Sequence, residues 1–314
     1  MQTKKLVITL LLIVLISVLA FGYFYVIQQS PVDVIKSVNP ASASSPPQFL
    51  FAINNEPAHP LDRPMATVVV NNRIFVSDAG KNQVLVFDYN GKFEKYLKPG
   101  DASFKWPYGL TFDGTNIYAA DTRAGKIYVF DANGDYKRVF SVQGVTLAGP
   151  GVILAQAGKL YVSDLQNHKI FVFDLQGRLL DAYGKEGQGE GELSFPHGAA
   201  VDDKGSIYVA DSGNNRIVVF NTDGSVRQTI GGGDNSAILT PRGLVKDRSG
   251  NFWVVLGMAN KIRVCRPDGS KVMEFGQEGQ DYGQLSLPNG VYIDANNRVY
   301  ITEIGTSRIS VFSY

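Results

Sequence analysis

The sequence holds one cysteine, Cys265, among 314 residues, so no internal disulfide can form and stability must come from packing. Neither sign of charge dominates: 30 Lys and Arg stand against 29 Asp and Glu, a formal net charge of +1. Proteins that bind nucleic acid through its phosphates need a strongly basic face, and this balance excludes nucleic acid as a partner. No phosphate loop is present, because Gly231-Gly232-Gly233 and the glycines at 187–191 are followed by no helical pattern. EF-hand spacing is absent too, and DANG at 131–134 reads as a hairpin turn. Beyond the N-terminus no long helical period runs through the chain.

What is present is a repeat. Six units each begin at a proline, Pro64, Pro107, Pro150, Pro196, Pro241 and Pro288, at spacings of 43 to 47 residues. Each unit carries the same order of short strand patterns. An apolar strand follows the proline, as in PYGLTF, PHGAAV and PNGVYI, and an aromatic-centred strand comes next, as in IFVS, IYVA and VYIT. After an acidic turn there is a third strand, as in VLVFD and IVVFN, and then a DG or NG turn into an outer strand. Such turns join antiparallel strands tightly. Four β-branched and aromatic strands at this period predict one propeller blade per unit. The sixth unit reaches Tyr314 after its third strand, and Phe49–Ile53 (FLFAI) resembles the missing outer strand. The prediction is an all-β, six-bladed propeller of four-stranded antiparallel blades over residues 48–314, closed where this N-terminal strand pairs with Ile309–Phe312.

The units resemble NHL repeats, with P-x-G followed by an apolar strand, then an aromatic strand ending in Asp, then Asn, a basic residue and V-F-[DN]. The fourth unit, PHGAAVDDKGSIYVADSGNNRIVVFNTDG, fits best, and the glycine-rich joins YGKEGQGEGELSFP and FGQEGQDYGQLSLP fit as well. The resemblance covers residues 49–314 and implies a fold more than an activity. Similar repeats serve RNA-binding regulators, an amidating lyase and many bacterial extracytoplasmic proteins.

The N-terminus speaks to location. MQTKK at 1–5 is basic, and residues 6–27 carry no charge, enough to span a bilayer as one helix. Lys4 and Lys5 favour a cytoplasmic N-terminus, which places the propeller on the extracytoplasmic side of a cell membrane behind a Ser-, Pro- and Ala-rich linker at 28–47. A cleaved signal peptide is the competing reading, with Val18-Leu19-Ala20 as its small-residue site. The apolar run continues past that site through Phe21–Ile27, which favours a single-pass anchor, and no nearby cysteine permits a lipoprotein.

Aligning the units separates structural residues from candidates for function. Cys265 takes the slot of Phe87, Phe130, Phe173, Phe220 and Phe312, and Trp253 that of Phe75, Tyr118, Tyr161, Tyr208 and Tyr300, so both belong to the core. Asp78, Asp121, Asp164, Asp211 and Glu303 recur after the second strand, and Leu256 replaces the acid in blade five, whose turn should therefore differ. These acids are expected to accept hydrogen bonds from turn backbone and from Lys126, Lys169, Arg216, Lys261 or Arg308. His168 stands where other units have Asn82, Asn215, Asn260 or Ser307, a turn position, and His59 lies in the loop closing blade one.

In the lyase that the repeats resemble, the residue after the opening proline faces the channel mouth, and three histidines there hold zinc. The matching residues here are Met65, Tyr108, Gly151, His197, Arg242 and Asn289, so only His197 fits, and a zinc site needs three protein ligands. Tyr108, His197, Arg242 and Asn289 remain as a non-repeating polar cluster suited to an anion or carboxylate, to acid–base work, or to a partner's surface. The expectation is a membrane-tethered binding or scaffold module that engages an envelope protein or extracellular ligand through this face, with no cofactor. The alternative is a metal-dependent lyase or lactonase-like enzyme with a divalent metal in the channel. The full-length chain is expected to stay with membranes through an alkaline carbonate wash, and a chain lacking residues 1–27 to be released; release of both would remove the anchor.

Overall fold

The computed structural model describes residues 46–54, 58–232 and 238–314. The expected spanning helix over 6–27 and nearly all of the linker lie outside the described residues. Residues 46–314 form one unit made of six four-stranded antiparallel sheets. Every innermost strand begins at its repeat proline: Pro64–Val70, Pro107–Phe112, Pro150–Gln156, Pro196–Val201, Pro241–Lys246 and Pro288–Ile293. Each packs against the innermost strands of both neighbouring blades, so the six close a ring around a central channel.

Closure occurs as the sequence predicts. Gln48–Ile53 pairs antiparallel with Arg308–Ser313 and supplies the outer strand of blade six, with Phe49 opposite Phe312 and Ile53 opposite Ile309. One irregularity between Phe49 and Phe51 interrupts the register. Tyr282 stacks on Phe49 at 5.7 Å and its hydroxyl bonds Asn54 at 2.7 Å, which fixes the closing strand to the loop before blade six.

The core is a ring of separate clusters, one between each pair of adjacent blades. Phe75, Tyr128 and Phe130 fill the space between blades one and two, and Trp253, Leu285, Ile301 and Phe312 that between blades five and six. Cys265 and Trp253 are buried in these layers, and Trp253 Nε1 donates to Asp247 Oδ2 at 3.0 Å. The second residue after the proline is glycine in blades two, four, five and six because innermost strands approach closely. A Cβ on Gly109 would lie 2.5 Å from the Gly151 carbonyl oxygen, and one on Gly198 would collide with that of Arg242.

The recurring acid lies directly opposite the opening proline in every blade that has it. Its carboxylate accepts hydrogen bonds from the amides just ahead of that proline. Asp78 accepts from Asp62 and Arg63, Asp121 from Lys105 and Trp106, and Asp164 from Ala148 and Gly149, all between 2.7 and 3.0 Å. These amides turn away from the sheet and have no ladder partner, and an unpaired buried amide is costly.

Two expectations about these turns need correction. Only the arginines pair with the acids, Arg216 with Asp211 at 2.8 Å and Arg308 with Glu303 at 2.9 Å. Lys261 instead meets Glu274, and no ion pair joins Lys126 or Lys169 to Asp121 or Asp164, where backbone amides already fill the oxygens. Blade five, without the acid, makes the same turn as blade four: a single 3-10 turn, Gly257–Ala259 or Ser212–Asn214, ending in a left-handed asparagine. The turn's shape therefore comes from Asn215 and Asn260 rather than from the acid. Asp164→Ala strands the amides of Ala148 and Gly149, and urea unfolding is expected to show a loss of about 3 kcal/mol. Asp164→Asn, which keeps one acceptor oxygen, should fall between that variant and the parent.

Candidate functional site

The chain approaches the ring in two different ways, and the difference divides one face of the propeller. Ahead of blades one to three, both amides before the proline go to the acid of the same blade. Ahead of blades four to six, the residue before the proline turns left-handed: Phe195 at φ 50°, Thr240 at 44° and Leu287 at 45°. Its amide then bonds the last turn residue of the preceding blade. Phe195 N donates to His168 Nδ1 (3.2 Å), Thr240 N to Asn215 Oδ1 (2.8 Å) and Leu287 N to Asn260 Oδ1 (2.7 Å). His168 thus does the work of an asparagine, in keeping with its place in the repeat. Left-handed conformations cost bulky residues about 1 kcal/mol or more each and gather at functional sites.

The residues after these prolines include His197, Arg242 and Asn289, three of the four candidates; Tyr108 comes from blade two. The structure brings all four together. Tyr108 Oη lies 2.8 Å from His197 Nδ1, across the ring from blade two to blade four, with the rings roughly parallel. Arg242 Nη1 donates to Asn289 Oδ1 at 3.1 Å, and Asn289 Nδ2 donates to the Met65 carbonyl at 3.0 Å. Arg242 and Asn289 also approach the Tyr108 hydroxyl. Tyr108 and Asn289 are buried while His197 and Arg242 are partly exposed, so the cluster closes this end of the channel as a plug instead of standing as a solvated rim.

Burial pushes the Tyr108 hydroxyl up from its ordinary range. His197 is driven down to about 3, first by burial and then by the Arg242 charge. At neutral pH the pair is therefore an uncharged phenol and an uncharged imidazole, and Arg242 is the plug's one charge. No carboxylate among the described residues forms an ion pair with it.

Space for Arg242 comes from Gly257, where a Cβ would lie 3.1 Å from Arg242 Cδ and Nε. Other blades place Ala79, Thr122, Leu165, Ser212 and Ile304 at this position. Ala79, Leu165 and Ile304, from blades one, three and six, pack with Met65, Tyr108 and Trp106 into an apolar cluster beside the plug. Trp106 is covered there by Arg123, 3.9 Å from its ring centre. Over blades four to six three large apolar side chains stand exposed: Phe195 is 52 % exposed, Met258 67 % and Leu287 47 %. Sequence reasoning singled out the plug but missed this second set. Their signal was the same one, positions that fail to repeat, hidden because Phe, Leu and Met also fill blade cores.

Beneath the plug lies a cavity of about 270 Å³ lined by Leu110, Leu154, Leu244, Val291 and other innermost-strand residues. Thr67 Oγ1, in its wall, is buried and has no hydrogen-bond partner among the described residues.

The donor set does not suit a divalent metal. Among the described residues no three His, Cys, Asp or Glu side chains gather at one point. The one imidazole at the mouth is engaged at Nδ1 with Tyr108 and shares the plug with a guanidinium cation.

Residues 143–234 match a family model described as a 6-bladed beta-propeller. No curated protein matches the chain. Among solved structures, virginiamycin B lyase from Staphylococcus aureus is 18% identical, with 85% of this chain and 84% of that one covered at a TM-score of 0.59. A gluconolactonase from Xanthomonas campestris is 16% identical over 86% of this chain and 94% of that one, at a TM-score of 0.64. A chain of a nidogen/laminin complex is 16% identical over 68% of this chain and 79% of that one, at 0.54. At such identities the likeness is one of fold.

The depressed His197 sets a pH dependence. Unfolded histidine takes up a proton below about 6.5 while the folded side chain stays neutral down to about 3. Between these values the unfolded state holds the extra proton, so stability falls as pH falls, by up to about 1.4 kcal/mol per pH unit. His197→Asn is expected to lose less stability than the parent as pH drops through this window, read from urea midpoints. Parallel profiles for the two proteins would contradict the neutral imidazole at the mouth.

Proposed function

We propose that this NHL-like propeller is a binding module, held on the outer side of a cell membrane by residues 6–27, that docks an envelope protein on the face over blades four to six. The observation that carries the reading is the exposure of Phe195, Met258 and Leu287 on the face that carries Arg242. Two of these three are held outward by left-handed backbone at a cost in conformational energy, and large exposed apolar side chains grouped on one face mark interaction sites. Aromatic residues, methionine and arginine are the types enriched where proteins meet.

A metal-dependent lyase or lactonase-like activity is the alternative. The named neighbours include two enzymes and a protein complex, so the fold is compatible with either role. The donor set at the mouth speaks against the metal-dependent form, because neither Tyr108, Arg242 nor Asn289 supplies the imidazole, thiolate or carboxylate such a metal prefers.

A photo-crosslinking residue at Met258 in the full-length protein, in intact cells, is expected to capture one protein reproducibly. The same residue at Lys204, exposed in a turn on the far face, should not. Equal capture from both positions, or none from Met258, would overturn the docking reading.

A further inference from the structure

The charge at the plug narrows what the face accepts. Arginine carries five N–H donors in a planar fork that matches a carboxylate in bidentate fashion. In Arg242, one of these is spent on Asn289 Oδ1, and the Tyr108 hydroxyl lies near. The other partly exposed arginines in this protein find carboxylates: Arg73 meets Glu94, Arg216 meets Asp211 and Arg263 meets Glu274. Arg242 meets none among the described residues, although its stem is seated over Gly257 and its terminus is held by Asn289. Its neighbours are neutral, since burial and the Arg242 charge keep His197 unprotonated. The guanidinium is thus fixed in place, partly desolvated and uncompensated, conditions under which a carboxylate is bound more strongly than in water.

The surroundings add an apolar requirement. Phe195 and Leu287 directly precede the prolines that lead into His197 and Asn289, and Met258 directly follows Gly257, against which Arg242 lies. These exposed side chains come from three blades around the mouth, so the occupant must bring several apolar side chains close to a negative group that reaches into it. We infer that the face binds the C-terminus of a partner polypeptide, its terminal carboxylate on Arg242 and its last apolar side chains on Phe195, Met258 and Leu287. The assignment rests on the docking reading above and specifies the partner's chemistry. A free carboxylate at the end of a chain meets both demands at once, whereas an internal Asp or Glu lies flanked by backbone on both sides and would have to fold into the mouth.

The test uses the full-length protein and fluorescein-labelled short peptides ending in Leu, Ile or Phe. Each peptide is made with a free C-terminal carboxylate and, separately, as the C-terminal amide, and binding is read by fluorescence anisotropy. Carboxylate forms are expected to bind at least about tenfold more tightly than amides, as a charge-assisted hydrogen-bonded pair requires. Arg242→Gln should abolish that preference, and Arg242→Lys should restore only part of it, because an ammonium lacks the fork. Phe195→Ser and Leu287→Ser should weaken carboxylate and amide peptides alike. Urea midpoints matching the parent's identify variants that remain folded. Equal affinity for amide and carboxylate, an unchanged preference in folded Arg242→Gln, or no binding by either form would overturn the inference. Binding of N-acetylleucine as tight as that of the peptides would reassign the site to small carboxylates. Capture of a partner from Met258 together with absence of the carboxylate preference would leave the docking reading standing and this one refuted.

Discussion

The structure depends on how the chain is delivered to the centre of the ring. Each blade starts with a strand that must come in from the outer edge of the previous blade, turn sharply and join the ring. The amides in that turn have no sheet to pair with. In five blades a buried carboxylate, opposite the opening proline, accepts at least one of them. Proline suits the position because it fixes φ and brings no donor of its own that would need a partner. The acid, proline and turn therefore form one device, repeated because every blade meets the same problem.

The device is altered across half of the ring, and the alteration has chemical consequences. Ahead of blades four to six one amide passes to the preceding blade, onto His168, Asn215 or Asn260, and the residue before the proline becomes left-handed. The side chains of Phe195 and Leu287 are left exposed on that side, while His197, Arg242 and Asn289 converge with Tyr108 below them. Ahead of blades one to three the acid keeps both amides, and the face there is closed by Met65, Trp106 and Tyr108. A ring with near sixfold repetition thus carries one distinct sector, the property a specific binding surface requires.

Much of this was legible in the residues. The proline spacing, the strand order and the match of Phe49–Ile53 to a missing outer strand predict the closed ring, because period-two apolar patterns and turn residues are local signals. Cys265 and Trp253 read as core since their slots are filled by Phe or Tyr in other blades. The convergence of Tyr108, His197, Arg242 and Asn289 was also accessible, as all four share one repeat position. Hydrogen-bond partners were less accessible. The lysines assigned to the acids lost to backbone amides, which are held close by covalent geometry and need no side-chain ordering. The role of His168 depends on an amide 27 residues away in the next blade, a contact no spacing announces. Blade five keeps its turn without the acid because left-handed Asn260 sufficed, and asparagine adopts that conformation readily.

The claim on which the rest turns is that the sector over blades four to six is covered by a partner where the protein works. Hydroxyl-radical footprinting of the full-length protein, in intact cells and after purification, addresses it directly. The expected result is lower oxidation of Met258, Phe195 and Leu287 in cells than in the purified protein, with Tyr136 and Leu180, exposed on outer strands, oxidised equally in both. Equal oxidation of Met258, Phe195 and Leu287 in the two states, or protection confined to Tyr136 and Leu180, would contradict it.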